Sequence, residues 1–137
     1  MVRTDQLILE TVTGPAALDD IQNNLESLWA VHSEVPERVR TRVALAVAEV
    51  GANIVQHAGR GAPVPMRMES VVVGNVVRVT FTDQGGEVSV DLGAVAMPVG
   101  LAERGRGLAI AQSVLGELAY RRRGTVNEWT LVSEDFA

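Results

Sequence analysis

Glu49 and Asn53 stand four residues apart in Thr41–Ala58, TRVALAVAEVGANIVQHA, a stretch that is otherwise mostly apolar. Wound at about 100° per residue, it gathers Val43, Val47, Val50 and Ile54 into one stripe and puts Leu45, Ala48, Ala52 and Val55 on the far side. Apolar residues nearly all round predict a buried helix. The polar exceptions share one strip: Glu49, Asn53 and Gln56, with His57 at its edge and Arg42 one heptad before Glu49. A buried carboxylate or amide is costly without a partner. Something polar must therefore meet that strip, whether a neighbouring side chain or a ligand.

Two later stretches add to this. Phe81-Thr82-Asp83-Gln84-Gly85-Gly86 sets an acid and two glycines directly after a strand-like run. Arg104-Gly105-Arg106-Gly107 then sets two glycines at the mouth of a helix. The second is a phosphate site on first principles: a helix N-terminus offers unpaired amides and partial positive charge, and glycines let the backbone wrap an anion. Either arginine adds charge. Taken singly, each stretch has an ordinary explanation, as a satisfied polar pair, a solvent-facing turn or a plain loop-to-helix junction. All 12 basic residues are arginine, so a P-loop, which needs its lysine on the phosphates, is closed to this chain. Phosphate binding has to come from backbone amides, arginine and a metal ion.

The elements that position these groups follow in order. Leu7 to Val12 alternates as a first strand, and Gly14-Pro15 turns into a helix patterned by Leu18, Ile21, Leu25 and Leu28 and ending near His32. Ser33 to Pro36 breaks the chain before the helix of Glu49, and Gly59 to Pro63 ends that helix. Two strands follow between Val64 and Thr82 around a Gly74-Asn75 hairpin. Residues 84 to 103 show no period and predict a long loop, a lid whose later part, Gly93 to Glu103, orders on a triphosphate. A helix from about Gly107 to Glu117 and a closing hairpin around Gly124-Thr125 complete an α+β two-layer sandwich, with helices on one face of a mixed sheet.

The three boxes in this order resemble the N, G1 and G2 boxes of the GHKL ATP-binding fold, shared by gyrase, Hsp90, histidine kinases and MutL. Within it the chain is most similar to the stand-alone anti-sigma serine/threonine kinases of the RsbW and SpoIIAB type, over about residues 5 to 133. The resemblance implies Glu49 as general base and Asn53 as Mg²⁺ ligand. It implies Asp83 as acceptor for the amine of adenine, with Gly85 close to the base. Arg104, Gly105, Arg106, Gly107 and Leu108 would hold the phosphates. One amide oxygen suits Mg²⁺, a hard cation that keeps waters and bridges phosphates. Glu87 stands at the family's second G1 glycine, a loss the anti-sigma branch tolerates. The family's threonine on the closing strands is matched by Thr125 or Asn127, and Thr125 is the residue assigned.

The implied protein is a single domain, residues 1–137, that phosphorylates a STAS-type anti-anti-sigma protein with ATP and Mg²⁺ and sequesters a sigma factor. A homodimer is the implied assembly. The alternative is an ATP-binding regulatory module without phosphotransfer. A detached histidine-kinase domain would need a phosphoacceptor histidine on a dimerisation helix, and neither His32 nor His57 lies on one. The net charge of −5 argues against a nucleic-acid binder. No run approaches the ~18 apolar residues of a membrane span. The absence of cysteine and of a signal-like start points to the cytoplasm.

Overall fold

A computed structural model describes residues 6–58, 62–86 and 103–137, the side chains of residues 103–105 excepted. The elements run β1 (Leu7–Val12), α1 (Pro15–Val31), α2 (Glu37–His57), β2 (Pro65–Val73), β3 (Val76–Asp83), α3 (Glu103–Val114), β4 (Glu117–Arg123) and β5 (Val126–Val132). The lid expected within residues 84–103 falls almost wholly outside the described residues.

The five strands form one sheet in the order β1-β2-β3-β5-β4, and every hydrogen-bonded pair is antiparallel. A mixed sheet was expected. β3 and β4 do run parallel, but β5 lies between them, so the crossover through α3 leaves no parallel pair in contact. Glycines with left-handed backbone, Gly74 and Gly124, both at φ 59°, make the two hairpin turns.

Helices cover one face. Alternation along the strands sends Leu9, Met68, Phe81, Trp129 and Tyr120 to that face as one cross-sheet row. Leu7, Ser70, Val79, Leu131 and Leu118 form the next row. Phe81 and Trp129 are fully buried, each worth on the order of 2–3 kcal/mol of apolar transfer. Tyr120 stacks at a tilt on Trp129, with centroids 4.7 Å apart. From above, α1 contributes Ile21, Leu25 and Leu28, and α2 contributes Val39, Val43, Val47, Val50 and Ile54. Ile21 meets α2 at Gly51, where an added Cβ would stand 3.1 Å from Ile21 Cδ1.

The stripe predicted for α2 is its core face. Its far side is more open than the sequence suggests, because Leu45 remains 41% exposed. Among the described residues, α3 packs against α2. α3 itself begins at Glu103, four residues before the expected Gly107. Both glycines of the Arg-Gly-Arg-Gly stretch therefore lie inside its first turns and not ahead of them.

The C-terminal tail is pinned beside β3. Ser133 N–H donates to Val77 O at 2.9 Å, Ser133 Oγ accepts from Val77 N–H at 2.9 Å, and Phe136 N–H donates to Asn75 O at 2.9 Å. Glu134 on this tail accepts from Arg38 at 2.6 Å, joining the tail to the first turn of α2.

Candidate active site

Helix α2 carries the centre of the site. Glu49 is half-buried in its middle, and Asn53, one turn later, is 7% exposed. Spacing of four puts both on one face. Glu49 abuts α3: a Cβ built on Gly107 would stand 2.7 Å from Glu49 Oε1. The Glu49 carboxylate thus takes up the room beside Gly107 that a side chain there would fill. Leu108, beside it, is buried at 3% and anchors α3 in the core, while Arg106 is exposed. The first turn of α3, residues 103–106, presents the backbone N–H groups that have no partner within the helix.

The other end of α2 meets the end of β3. Gly86 N–H donates to Ala58 O at 2.9 Å. A side chain on Gly85 would run into that same carbonyl, so the close approach that demands glycine here is to the end of α2. Asp83 is 2% exposed in the helix-facing row Thr11, Met66, Asp83, Asn127, Arg122. Its Oδ1 accepts from Gly85 N–H at 2.8 Å and from Asn127 Nδ2 at 2.9 Å. From Glu49 to Ala58 the helix advances nine residues, about 14 Å at 1.5 Å each. One rigid element thus spaces the Gly107 contact from the Asp83 cluster.

Thr125 is placed elsewhere. It is exposed at the tip of the β4–β5 hairpin, because Gly124 turns the chain there. The residue that the closing strands bring onto Asp83 is Asn127, fully buried and directly opposite it in register. Two more residues join the cluster that the sequence alone did not point to. Tyr120 Oη donates to Asn127 Oδ1 at 2.6 Å, and Arg122 donates to the same oxygen at 2.9 Å and to Gly85 O at 3.1 Å. Arg121 to Arg123 reads as a solvated run, and Arg121 and Arg123 are exposed. Strand alternation from buried Leu118 carries Tyr120 and Arg122 inward, and that was the available signal. His57 is half-buried in the last turn of α2.

A hollow of about 330 Å³ opens beside Asp83, lined by Glu10, Thr11, Met66, Arg67 and Thr82 among others. Asp83 and Gln84 line it as well, but among the described residues none of α2 or α3 does, so it is not the space bordered by Glu49 and Gly107.

Residues 13–132 match the family of histidine kinase-like ATPase domains, and the chain belongs to that family. Membership implies ATP binding. Solved structures share the fold. The RsbU and RsbW domains of Rv1364c from Mycobacterium tuberculosis align with a TM-score of 0.67 at 17% identity, over 95% of this chain and 32% of that one. This chain thus spans about a third of that protein. The histidine kinase domain of a blue-light activated kinase from Erythrobacter litoralis gives 0.57 at 22% identity, over 82% and 60%. The catalytic domain of the histidine kinase ThkA gives 0.56 at 14% identity, over 92% and 95%. Comparison with curated proteins returned no match.

Proposed function

We propose that this chain is an ATP-dependent protein serine/threonine kinase and anti-sigma factor that phosphorylates a STAS-type anti-anti-sigma protein and holds a sigma factor. The observation that carries the proposal is the spacing along α2. The contact of Glu49 with Gly107 and the Asp83 turn lie about 14 Å apart along one helix, a length comparable to an extended nucleoside triphosphate. Adenine would sit at the Asp83 end, where a carboxylate oxygen accepts from its amine. The β- and γ-phosphates would sit at the first turn of α3, on its free amides and on Arg104 and Arg106.

Mg²⁺ fits the donors present. Asn53 offers a hard amide oxygen one turn from Glu49. Among the described residues no three His, Cys, Asp or Glu side chains are grouped to cage an ion. An ion here would take most of its oxygens from phosphate and water, as Mg²⁺ commonly does. Bound there, it would neutralise charge on the phosphates.

Glu49 would accept the proton of the partner's hydroxyl as that oxygen bonds to the γ-phosphorus. The bond from the same phosphorus to the β–γ bridging oxygen breaks, and ADP leaves. Positioning by the protein supplies most of the remaining catalysis. Membership of the ATPase family supports ATP as the donor. Likeness to a chain that contains an RsbW domain supports the anti-sigma branch, and with it a cytoplasmic protein with sigma-factor and STAS partners that works as a homodimer.

The test is incubation with labelled ATP, Mg²⁺ and candidate STAS proteins, beside the Glu49→Gln variant. Label should pass to a serine or threonine of the partner, and Glu49→Gln should bind ATP within a few-fold of wild type while transfer falls by about 10²–10⁴-fold. A wild type that binds both ATP and a partner yet transfers nothing would make the chain an ATP-sensing interaction module instead.

A further inference from the structure

We infer that Asn127 is a positioning residue for Asp83 and not a ligand of the nucleotide, and that Tyr120 and Arg122 brace it, so that the closing hairpin sets base selectivity. The inference rests on the adenine reading above. It starts from the hydrogen-bonding capacity of one carboxamide, which offers two N–H donors and an oxygen with two lone pairs.

In Asn127 all four are used. Its Nδ2 donates to Asp83 Oδ1 at 2.9 Å and to Gly86 O at 2.9 Å, with Gly85 O at 3.4 Å. Its Oδ1 accepts from Tyr120 Oη at 2.6 Å and from Arg122 at 2.9 Å. The side chain is fully buried. Nothing is left over for a base.

These partners also fix which way the amide points. A flipped amide would face its oxygen to the Asp83 carboxylate and the Gly86 carbonyl, and its N–H₂ to the donors on Arg122. Both contacts would be repulsive, so the closing hairpin holds one orientation.

The consequence falls on Asp83. Oδ1 already accepts from Gly85 N–H at 2.8 Å and from Asn127, which fills its two lone pairs. Oδ2 is the oxygen that can accept from a ligand. Held this way, the carboxylate presents a single acceptor in a fixed direction. Adenine answers it with an amine, whereas guanine has a carbonyl at that place and is repelled. Arg122 also donates to Gly85 O at 3.1 Å, so the hairpin grips the backbone of the turn as well as the side chain. If Oδ1 lost its donors, the carboxylate could rotate toward the N1–H and N2–H₂ donors of guanine that lie beside its carbonyl, and discrimination would weaken before affinity vanished.

The experiment is titration of wild type, Asn127→Ala, Tyr120→Phe and Arg122→Gln with ATP and GTP, each variant first checked for a cooperative melt. The quantity read is the ratio of the two dissociation constants. Wild type should favour ATP. Asn127→Ala should shrink the ratio by about tenfold or more. Tyr120→Phe should shrink it by about two- to tenfold, the worth of one neutral hydrogen bond, and Arg122→Gln by about tenfold, the lower end for a charged one. If the hairpin residues were only structural, affinity for both nucleotides would fall together and the ratio would hold, which overturns the inference. If Asn127→Ala alone moved the ratio, Asn127 would be touching the base itself, which overturns it too. A variant that fails to melt cooperatively is set aside, and the inference stands or falls on the other two. A wild type that binds neither nucleotide ends the adenine reading and this inference together, and is distinguished by failing before any variant is compared.

Discussion

Glu49 occupies the room that a side chain at position 107 would fill, its Oε1 only 2.7 Å from the place of a Cβ on Gly107. The proposed base is seated by the absence of a neighbour's side chain. That seat is one of the contacts between α2 and α3, on the side where the proposal puts the phosphates.

Gly107→Ala should therefore displace the Glu49 carboxylate while the fold survives, because the clash is with the end of a flexible side chain. A misplacement of about 1 Å at a reacting group can cost on the order of 10²-fold. Phosphotransfer should drop by about tenfold or more, and ATP affinity should change much less. Parallel measurement of transfer rate and ATP dissociation constant checks this. Equal losses in both would mean that Gly107 serves nucleotide binding alone.

Gly85→Ala should act on stability. Its Cβ would meet backbone at Ala58, which cannot swing aside as a side chain can. Overpacking of this kind costs about 1–3 kcal/mol. Denaturant unfolding should show a lower midpoint with little change in slope. An unchanged midpoint would show that the turn at the end of β3 lifts off α2 at no cost.

Asn53→Ala should weaken ATP binding chiefly when Mg²⁺ is present, because the group removed is the proposed metal ligand. Titrations with Mg²⁺ and with a chelator separate the cases. The same loss in both would make Asn53 a packing or hydrogen-bonding residue of the buried α2 face.

Glu134 supplies a pH-dependent contribution. The hydrogen bond from Arg38 holds its carboxyl below the ordinary value of 4.5, outweighing the opposing desolvation, and the charges of Arg38 and Arg42 add to it. A carboxyl depressed in the folded state contributes stability above its unfolded pKa and loses it as pH falls through the folded one. Glu134→Gln should thus lose a little stability at neutral pH, and its stability should fall less steeply than wild type below about pH 4.5. Melting temperatures from pH 7 down to 3 measure both. The pair is exposed, so the effect is small, but its direction is fixed.

Much of the fold was legible because its signals are local. The stripe Val43, Val47, Val50, Ile54 announced the core face of α2, and Gly74-Asn75 and Gly124-Thr125 marked both hairpins. The candidate site residues Glu49 and Asn53 could be singled out because they stand against an apolar background, and Asp83 because it is an acid ending a strand. The partners of Asp83 were not. Asn127 is 44 residues away along the chain from Asp83, and only the register of β5 between β3 and β4 makes them neighbours. Once that register is known, Tyr120 and Arg122 follow from alternation. Before it, Arg122 is one arginine among three and Thr125 looks as good as Asn127. The openness of α2 around Leu45 was hidden too, since composition gives the apolar girth of a helix and not how many elements arrive to cover it.

Because a single helix links Glu49 to Ala58, chain length within that segment is not free to vary. One residue inserted there would advance the helix end by about 1.5 Å and turn it by about 100°. Either the Gly85 turn would lose its seat on Ala58 or Glu49 would swing away from Gly107. Two successive insertions would turn it by about 200°, and only near a full turn, three or four residues, would the faces realign, by then about 5 Å too far apart. Insertions and deletions tolerated by the function should thus be absent from residues 49–58, and a library of single-residue insertions selected for ATP binding would show a gap there.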